Sequence, residues 1–133
     1  MTEVCVEIVS LSGERESCKI NFIQSVPLKM EIHSERFGTL AFVAENLFDA
    51  LLKFRLRLEQ DGYSLLCNAA RKDAYPSRMV LEMGGGRKVY LLKAGMQARQ
   101  EDLVDVFGEA SVEKVCTVEE QRANYKIWVR SLK

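Results

Sequence analysis

The chain has 133 residues, the length of one domain able to bury a core without disulfide or metal staples. Hydrophobic residues make up 47% and charged residues 29%, which excludes a disordered chain. The 19 basic residues cancel the 19 acidic ones, so no global field draws the protein to nucleic acid or to a membrane surface.

Met1 to Ser34 reads as strands. Val4, Val6 and Ile8 alternate with Cys5, Glu7 and Val9, and Ser12-Gly13-Glu14 supplies a turn. Cys18, Ile20 and Phe22 share one face of a second strand. Met30 and Ile32 alternate with Lys29, Glu31 and His33 in a third, which Pro27 limits to an edge or a late start. A three-stranded antiparallel meander is expected. The first long helix is expected to open at Gly38-Thr39, with Thr39 as N-cap. Leu40, Ala44, Leu47, Phe48, Leu51, Phe54 and Leu58 recur at helical spacing, and Gly62 lies just past the end. Glu45, Asp49, Lys53, Arg57 and Gln60 give that helix a wet side.

Tyr63 to Ala70 and Arg87 to Lys93 have the length and composition of two further strands. Gln100 to Phe107 reads as a short helix stopped by Gly108. Thr117-Val-Glu-Glu120 is a capping box opening a last helix, whose stripe is Val118, Arg122, Tyr125, Trp128 or Val129, and Leu132. No repeat, linker or low-complexity tract interrupts residues 1–133, so the expectation is a single α+β domain. An antiparallel sheet of about five strands should carry helices packed on one face.

Cys5, Cys18, Cys67 and Cys116 lack the close spacing of zinc ligands, and His33 is the one histidine, so no metal centre or cofactor is expected. Cys5, Cys18 and Cys67 lie in apolar or alternating runs and read as buried thiols. Glu3 and Glu7, with no basic residue, open the chain, which argues against a secretory leader. A reduced, cytoplasmic setting is the expectation.

Asn68 to Arg87 is much longer than a hairpin requires, and connections of that length tend to be functional. Ser77 is expected to cap one helical turn from Arg78 to Met83, with Gly84 as its stop. Tyr75, Met79, Val80, Leu81 and Met83 give the segment apolar residues to bury. Gly84, Gly85 and Gly86 permit positive φ, and their amides can form an anion nest. Arg71, Lys72, Arg78, Arg87 and Lys88 surround them, and Asp73 and Tyr75 are candidates for proton handling. These ten residues form the candidate ligand or partner site. Residues 71–99 hold seven basic against two acidic side chains, and residues 100–120 seven acidic against one basic. Asp102, Asp105 and Glu109 therefore mark an alternative, acidic partner surface. No catalytic residue is assigned. A serine or cysteine nucleophile would need His33, the one histidine, or a lysine as its base, and paired carboxylates occur only on helix exteriors.

The stretch Cys67-Asn-Ala-Ala-Arg-Lys-Asp-Ala-Tyr-Pro-Ser-Arg-Met79, followed by Met83-Gly-Gly-Gly-Arg-Lys-Val-Tyr90, resembles a block seen in small, largely uncharacterised bacterial proteins. In size, balanced charge and missing catalytic set the chain resembles the immunity proteins of bacterial polymorphic and contact-dependent toxins. That resemblance implies a protein-binding module, not an enzyme, that neutralises a toxin domain by direct contact. Such proteins share no common motif, so it assigns no residue a role. The residues leave two other readings open: an anionic-ligand or enzymatic domain built on the 68–87 segment, and nucleic-acid binding, disfavoured by zero net charge and sparse aromatics. No membrane partner is expected.

Overall fold

Alternating apolar residues fold Met1 to Ala44 into four antiparallel strands rather than three. The computed structural model describes residues 1–133. Its first strands are β1 (Thr2–Ser10), β2 (Arg15–Ile23), β3 (Leu28–Ser34) and β4 (Gly38–Ala44). A helix α1 (Leu47–Glu59) follows, then β5 (Tyr63–Leu65), which pairs with the end of β1. The resulting five-stranded sheet has the order β4-β3-β2-β1-β5. Val6, Ile8, Cys18, Ile20, Phe22, Met30 and Ile32 point inward onto α1, whose Leu47, Leu51, Phe54 and Leu58 complete the core. Each such side chain stabilises the fold by roughly 1.5–3 kcal/mol through burial.

The helix does not open at Gly38-Thr39, and Thr39 is no cap. Gly38 has φ +68° and closes a tight turn in which the Phe37 amide donates to Ser34 Oγ. The chain then runs back along β3, with Ile32 opposite Leu40 and Met30 opposite Phe42. Leu40 and Ala44 satisfy helical spacing with Leu47 and Leu51, but they equally satisfy alternation, and β-branched Thr39 and Val43 favour the strand. The true cap is Asn46, whose Oδ1 accepts the Asp49 amide at 2.9 Å.

A second, three-stranded antiparallel sheet was not expected. It has the order β6-β7-β8, from β6 (Ala74–Tyr75), β7 (Lys88–Leu91) and β8 (Leu103–Asp105). The run from Tyr63 stays extended only to Leu65 before a 3-10 turn at Asn68–Ala70. Gln100 to Phe107 is not a helix either: a 3-10 turn at Gln100–Asp102 leads directly into β8. The Asp102 carboxylate closes that turn on the Arg99 amide, and Val104 then pairs with Val89. The α+β class stands, with the 87–93 strand placed in the smaller sheet as β7.

The last helix, α3 (Val118–Ser131), begins at the Thr117–Glu120 capping box as expected. Its buried stripe is displaced, however. Val118 and Gln121 are buried and Tyr125 and Trp128 half-buried, whereas Arg122, Val129 and Leu132 are exposed. The cause is a buried polar network. Arg55, on α1 between Leu51 and Leu58, is only 3% exposed. Its guanidinium donates to the Ala69 carbonyl (3.1 Å), the Cys116 carbonyl (3.0 Å) and Gln121 Oε1 (2.7 Å). Gln121 Nε2 in turn donates to the Ala69 and Arg71 carbonyls, each at 2.9 Å. Burial draws the Arg55 pKa down, opposed by Cys116, the Glu59 carboxylate and Cys67.

All four cysteines are free, and Cys5 is exposed on β1 rather than buried. Its side chain falls on the outer face of the sheet, opposite Lys19. Burial pushes the Cys18 and Cys67 thiols up to about 12 and the half-buried Cys116 thiol to about 11.

Two outcomes follow for stability. Replacing Arg55 with Met strands two inward acceptors, the Cys116 carbonyl and Gln121 Oε1, and a loss of roughly 2–4 kcal/mol is expected, read as a lowered urea midpoint with unchanged slope. The raised thiol values make the fold alkali-sensitive. Unfolded thiols ionise near pH 8.5 while the folded ones stay protonated, so stability is full below that pH and declines as pH rises towards about 12. Thiol titration of the native protein should modify Cys5 alone, and rapid native reaction of Cys67 would contradict the burial.

Candidate functional site

The segment from Asn68 to Arg87 is ordered by its own caps. Ser77 is the N-cap of a seven-residue helix, α2 (Arg78–Gly84), its Oγ accepting the Val80 amide at 3.1 Å. Gly84 is the last helical residue, and Gly85 stops the helix with φ +65°. The Gly85 and Gly86 amides both turn back onto the Val80 carbonyl, and the Arg87 amide onto the Gly84 carbonyl. These donors are consumed in ending α2, so the anion nest that the glycines could have formed is not made. The glycines instead seat the segment on the start of α1. The Gly85 carbonyl accepts the Leu47 amide at 2.8 Å, satisfying a donor the first helical turn leaves open. Gly86 is buried at φ +73°, where a Cβ would lie 2.7 Å from Asn46 Oδ1 and 2.8 Å from the Phe48 nitrogen.

The remaining predicted residues fall into two groups. Arg71 and Asp73 face each other as a two-pronged ion pair, with Nε–Oδ1 at 2.8 Å and Nη2–Oδ2 at 2.7 Å, which raises the Arg71 pKa further. Tyr75 stacks on Tyr125 of α3 with centroids 4.1 Å apart, and Tyr125 continues onto Trp128 at 5.9 Å. Trp128 Nε1 donates to the Lys93 and Met96 carbonyls. Lys72 is exposed, its carbonyl held by Asn124. This group fastens α3 to the domain. Asp73 and Tyr75 are engaged in that fastening.

The second group surrounds α2. Arg87 joins the two oppositely charged regions, because its Nε donates to Asp105 Oδ2 at 3.0 Å. Its guanidinium also lies over the rings of Phe22 (5.8 Å) and Phe107 (5.4 Å). The acidic surface is largely turned to internal bonds. Asp105 also accepts the Phe107 amide, and Asp102 accepts the Arg99 amide. Glu109 alone of the three is exposed without an ion pair, beside Cys5 and Glu7 at a cleft of about 200 Å³.

The side chains that dominate the α2 region were not among the predicted site residues. None of the α2 residues is fully buried, and Met79 and Met83 are 67% and 83% exposed. They had been expected to fill the segment's own small core. Together with Val80 they line a groove of about 580 Å³, closed opposite by Tyr90 of β7 and Leu103 of β8, with Arg87 and Lys88 at its side. No carboxylate lines it. Arg78 is exposed on α2, 3.9 Å from Glu82. The sequence carries the signal in Met79 and Met83, four residues apart behind a Ser77 cap, which places both on one helix face.

No family model and no curated protein matches this sequence. The geometry is therefore the guide to function.

Catalytic arrangements are poor in comparison. His33 lies 2.7 Å from Glu31 Oε1 and 3.1 Å from Thr39 Oγ1, in the order of a carboxylate–imidazole–hydroxyl relay. It stands on the open outer face of the sheet, and none of the larger clefts is lined by His33 or Thr39. No group of three or more His, Cys, Asp or Glu side chains converges as a metal ligand set. No helix is long and apolar enough to cross a membrane.

The two structural glycines are separable by experiment. Gly86→Ala forces a Cβ against backbone and should cost roughly 2–4 kcal/mol, with the thermal midpoint falling accordingly. At Gly85 the Cβ meets only the flexible Gln24 side chain, so Gly85→Ala should cost about 1 kcal/mol of left-handed strain. Equal losses at both positions would contradict the close seating of Gly86 on α1.

Proposed function

We propose that this chain is a protein-binding module that docks its partner in the methionine groove between α2 and the β7–β8 ribbon. The observation that carries the reading is the exposure of Met79 and Met83 on a helix capped at both ends and contributing no fully buried residue to the core. Methionine is flexible and polarisable, and adapts to irregular apolar partners. Tyr90 and Arg87 supply residue types that concentrate binding energy at interfaces. The lining holds Arg87 and Lys88 and no carboxylate, so the fitting partner presents apolar anchors with acidic neighbours.

In its most concrete form the module is an immunity protein that silences a toxin domain by occupying it, the role implied by the resemblance in size, charge balance and missing catalytic set. The exposed Glu109 beside Glu7 is the part of the acidic surface still available to a basic partner. The anionic-ligand reading has less support, because the glycine amides on which it relied are bonded to the Val80 carbonyl.

Native mass spectrometry of the untagged protein, purified gently from its host, should show a stoichiometric second polypeptide. Met79→Glu with Met83→Glu should weaken that complex about a hundredfold while leaving the thermal midpoint in place, since both side chains face solvent. For an immunity protein, the captured polypeptide should regain its toxic activity when released. An undiminished complex in the double variant, or no partner at all, overturns the groove as docking face.

A further inference from the structure

We propose that the free edge of β4 is a contact surface for a second copy of this chain. β4 is the last strand of the five-stranded sheet and has a neighbour, β3, on one side only. In an antiparallel pair, alternate residues turn their main-chain groups towards the neighbouring strand and the residues between turn theirs away. The Val43 carbonyl accepts Lys53 Nζ at 2.6 Å, from α1. That contact identifies Val43, and with it Ala41 and Thr39, as the row presented to the open side.

The strand's own residues do not defend this edge, and Lys53 of α1 reaches one of its carbonyls only. Gly38-Thr-Leu-Ala-Phe-Val-Ala44 contains no charged residue and no proline, and its pairing with β3 runs without a bulge. Natural edges are commonly blunted by such features, because open main-chain groups otherwise recruit another strand. The opposite edge of the sheet is already occupied in part, by β5 against Ile8 to Ser10 and by the Leu66 amide on the Glu7 carbonyl.

The row is complementary to itself. A two-fold axis through Ala41 sets Thr39 of each copy against Val43 of the other, and each facing pair exchanges two main-chain hydrogen bonds. The Val43 carbonyl keeps a second lone pair for this purpose alongside Lys53. The absence of charge within β4 means that its facing residues oppose no like charges.

The side chains along the edge match in the same way. Leu40 and Phe42 on the inner face of β4 are half-buried, as is Leu52 of α1, and Leu56 one turn beyond Lys53 is 45% exposed. An axis perpendicular to the sheet keeps α1 of both copies on one side, so this apolar seam meets its own duplicate. An unrelated extended peptide would use the hydrogen bonds but leave the seam uncovered. The second copy satisfies both, joining the two five-stranded sheets into one.

Light scattering on the full chain at rising concentration tests this. The expected result is a mass twice the 15.1 kDa of one chain, falling to a single chain in Ala41→Lys. The Ala41 side chain is exposed on the outer face, so circular dichroism should be unchanged in that variant. Hydrogen exchange on the unmodified protein needs no variant. The Thr39, Ala41 and Val43 amides should slow at least tenfold as concentration rises, while the Leu40 and Phe42 amides do not respond. A chain that stays monomeric at every concentration, a dimer that survives Ala41→Lys, or protection of these amides only when a different protein is added would each overturn the proposal.

Discussion

The architecture of the second half of the chain depends on the buried guanidinium of Arg55. Water has been excluded from this cation, and no carboxylate bonds to it directly; two carbonyls and the Gln121 amide oxygen take its place. An arginine stays charged even where burial draws its pKa down, so desolvation must be offset by these dipoles acting together. Their positions come from separate parts of the chain: Ala69 from the turn after β5, Cys116 from the approach to α3, and Gln121 from α3 itself. Neither removing α3 nor shifting it by one residue leaves the guanidinium satisfied. The interaction thus specifies where α3 sits, a task the helix's few buried apolar residues, with Val118 the only fully buried one, would perform weakly alone.

With α3 placed, the aromatic ladder acquires its direction. Phe48 of α1 lies edge-on to Tyr75, Tyr75 stacks on Tyr125, and Tyr125 on Trp128. The Trp128 indole then holds the Lys93 to Met96 turn, and Ser131 Oγ accepts the Gly95 amide. The small sheet is therefore gripped from one side by α3 and from the other by Arg87, whose guanidinium lies over Phe22 of the large sheet. Between those supports α2 meets the core only through the half-buried Leu81. Its ends are fixed by Ser77 and Gly85, and its outward face is left to present Met79 and Met83.

The large sheet was legible because its alternation is unambiguous: Val6, Ile8, Cys18, Ile20, Phe22, Met30 and Ile32 all point to one face. β4 was misread because Leu40, Ala44, Leu47 and Leu51 fit a period of 3.6 as well as a period of 2, and only the turn at Gly38 separates the two. Leu103 to Asp105 is too short for either period to register, and its identity as a strand comes from pairing with Val89 and Tyr90, which no local pattern encodes. The α3 stripe was misplaced for a different reason. Gln121 reads as a surface residue, and its burial makes sense only beside Arg55, 66 positions earlier in the chain. At the candidate site the helix and its Ser77 cap were legible. The direction of the glycine amides was not, because it depends on where α1 begins.

That last point bears on how glycine-rich basic segments are read. Composition supplies freedom of φ and nearby cations, but an anion needs amides that converge on empty space. Here the same conformational freedom turns the Gly85 and Gly86 amides inward and the Gly85 carbonyl outward onto Leu47. A carbonyl oxygen then stands at the start of α1, where a bound anion would otherwise be favoured, and Asn46 fills the position beside it. The site is electrostatically complete from within the chain. What the segment leaves open to solvent is not a backbone anion site but apolar surface, the Met79 and Met83 side chains that the capped helix holds away from the core.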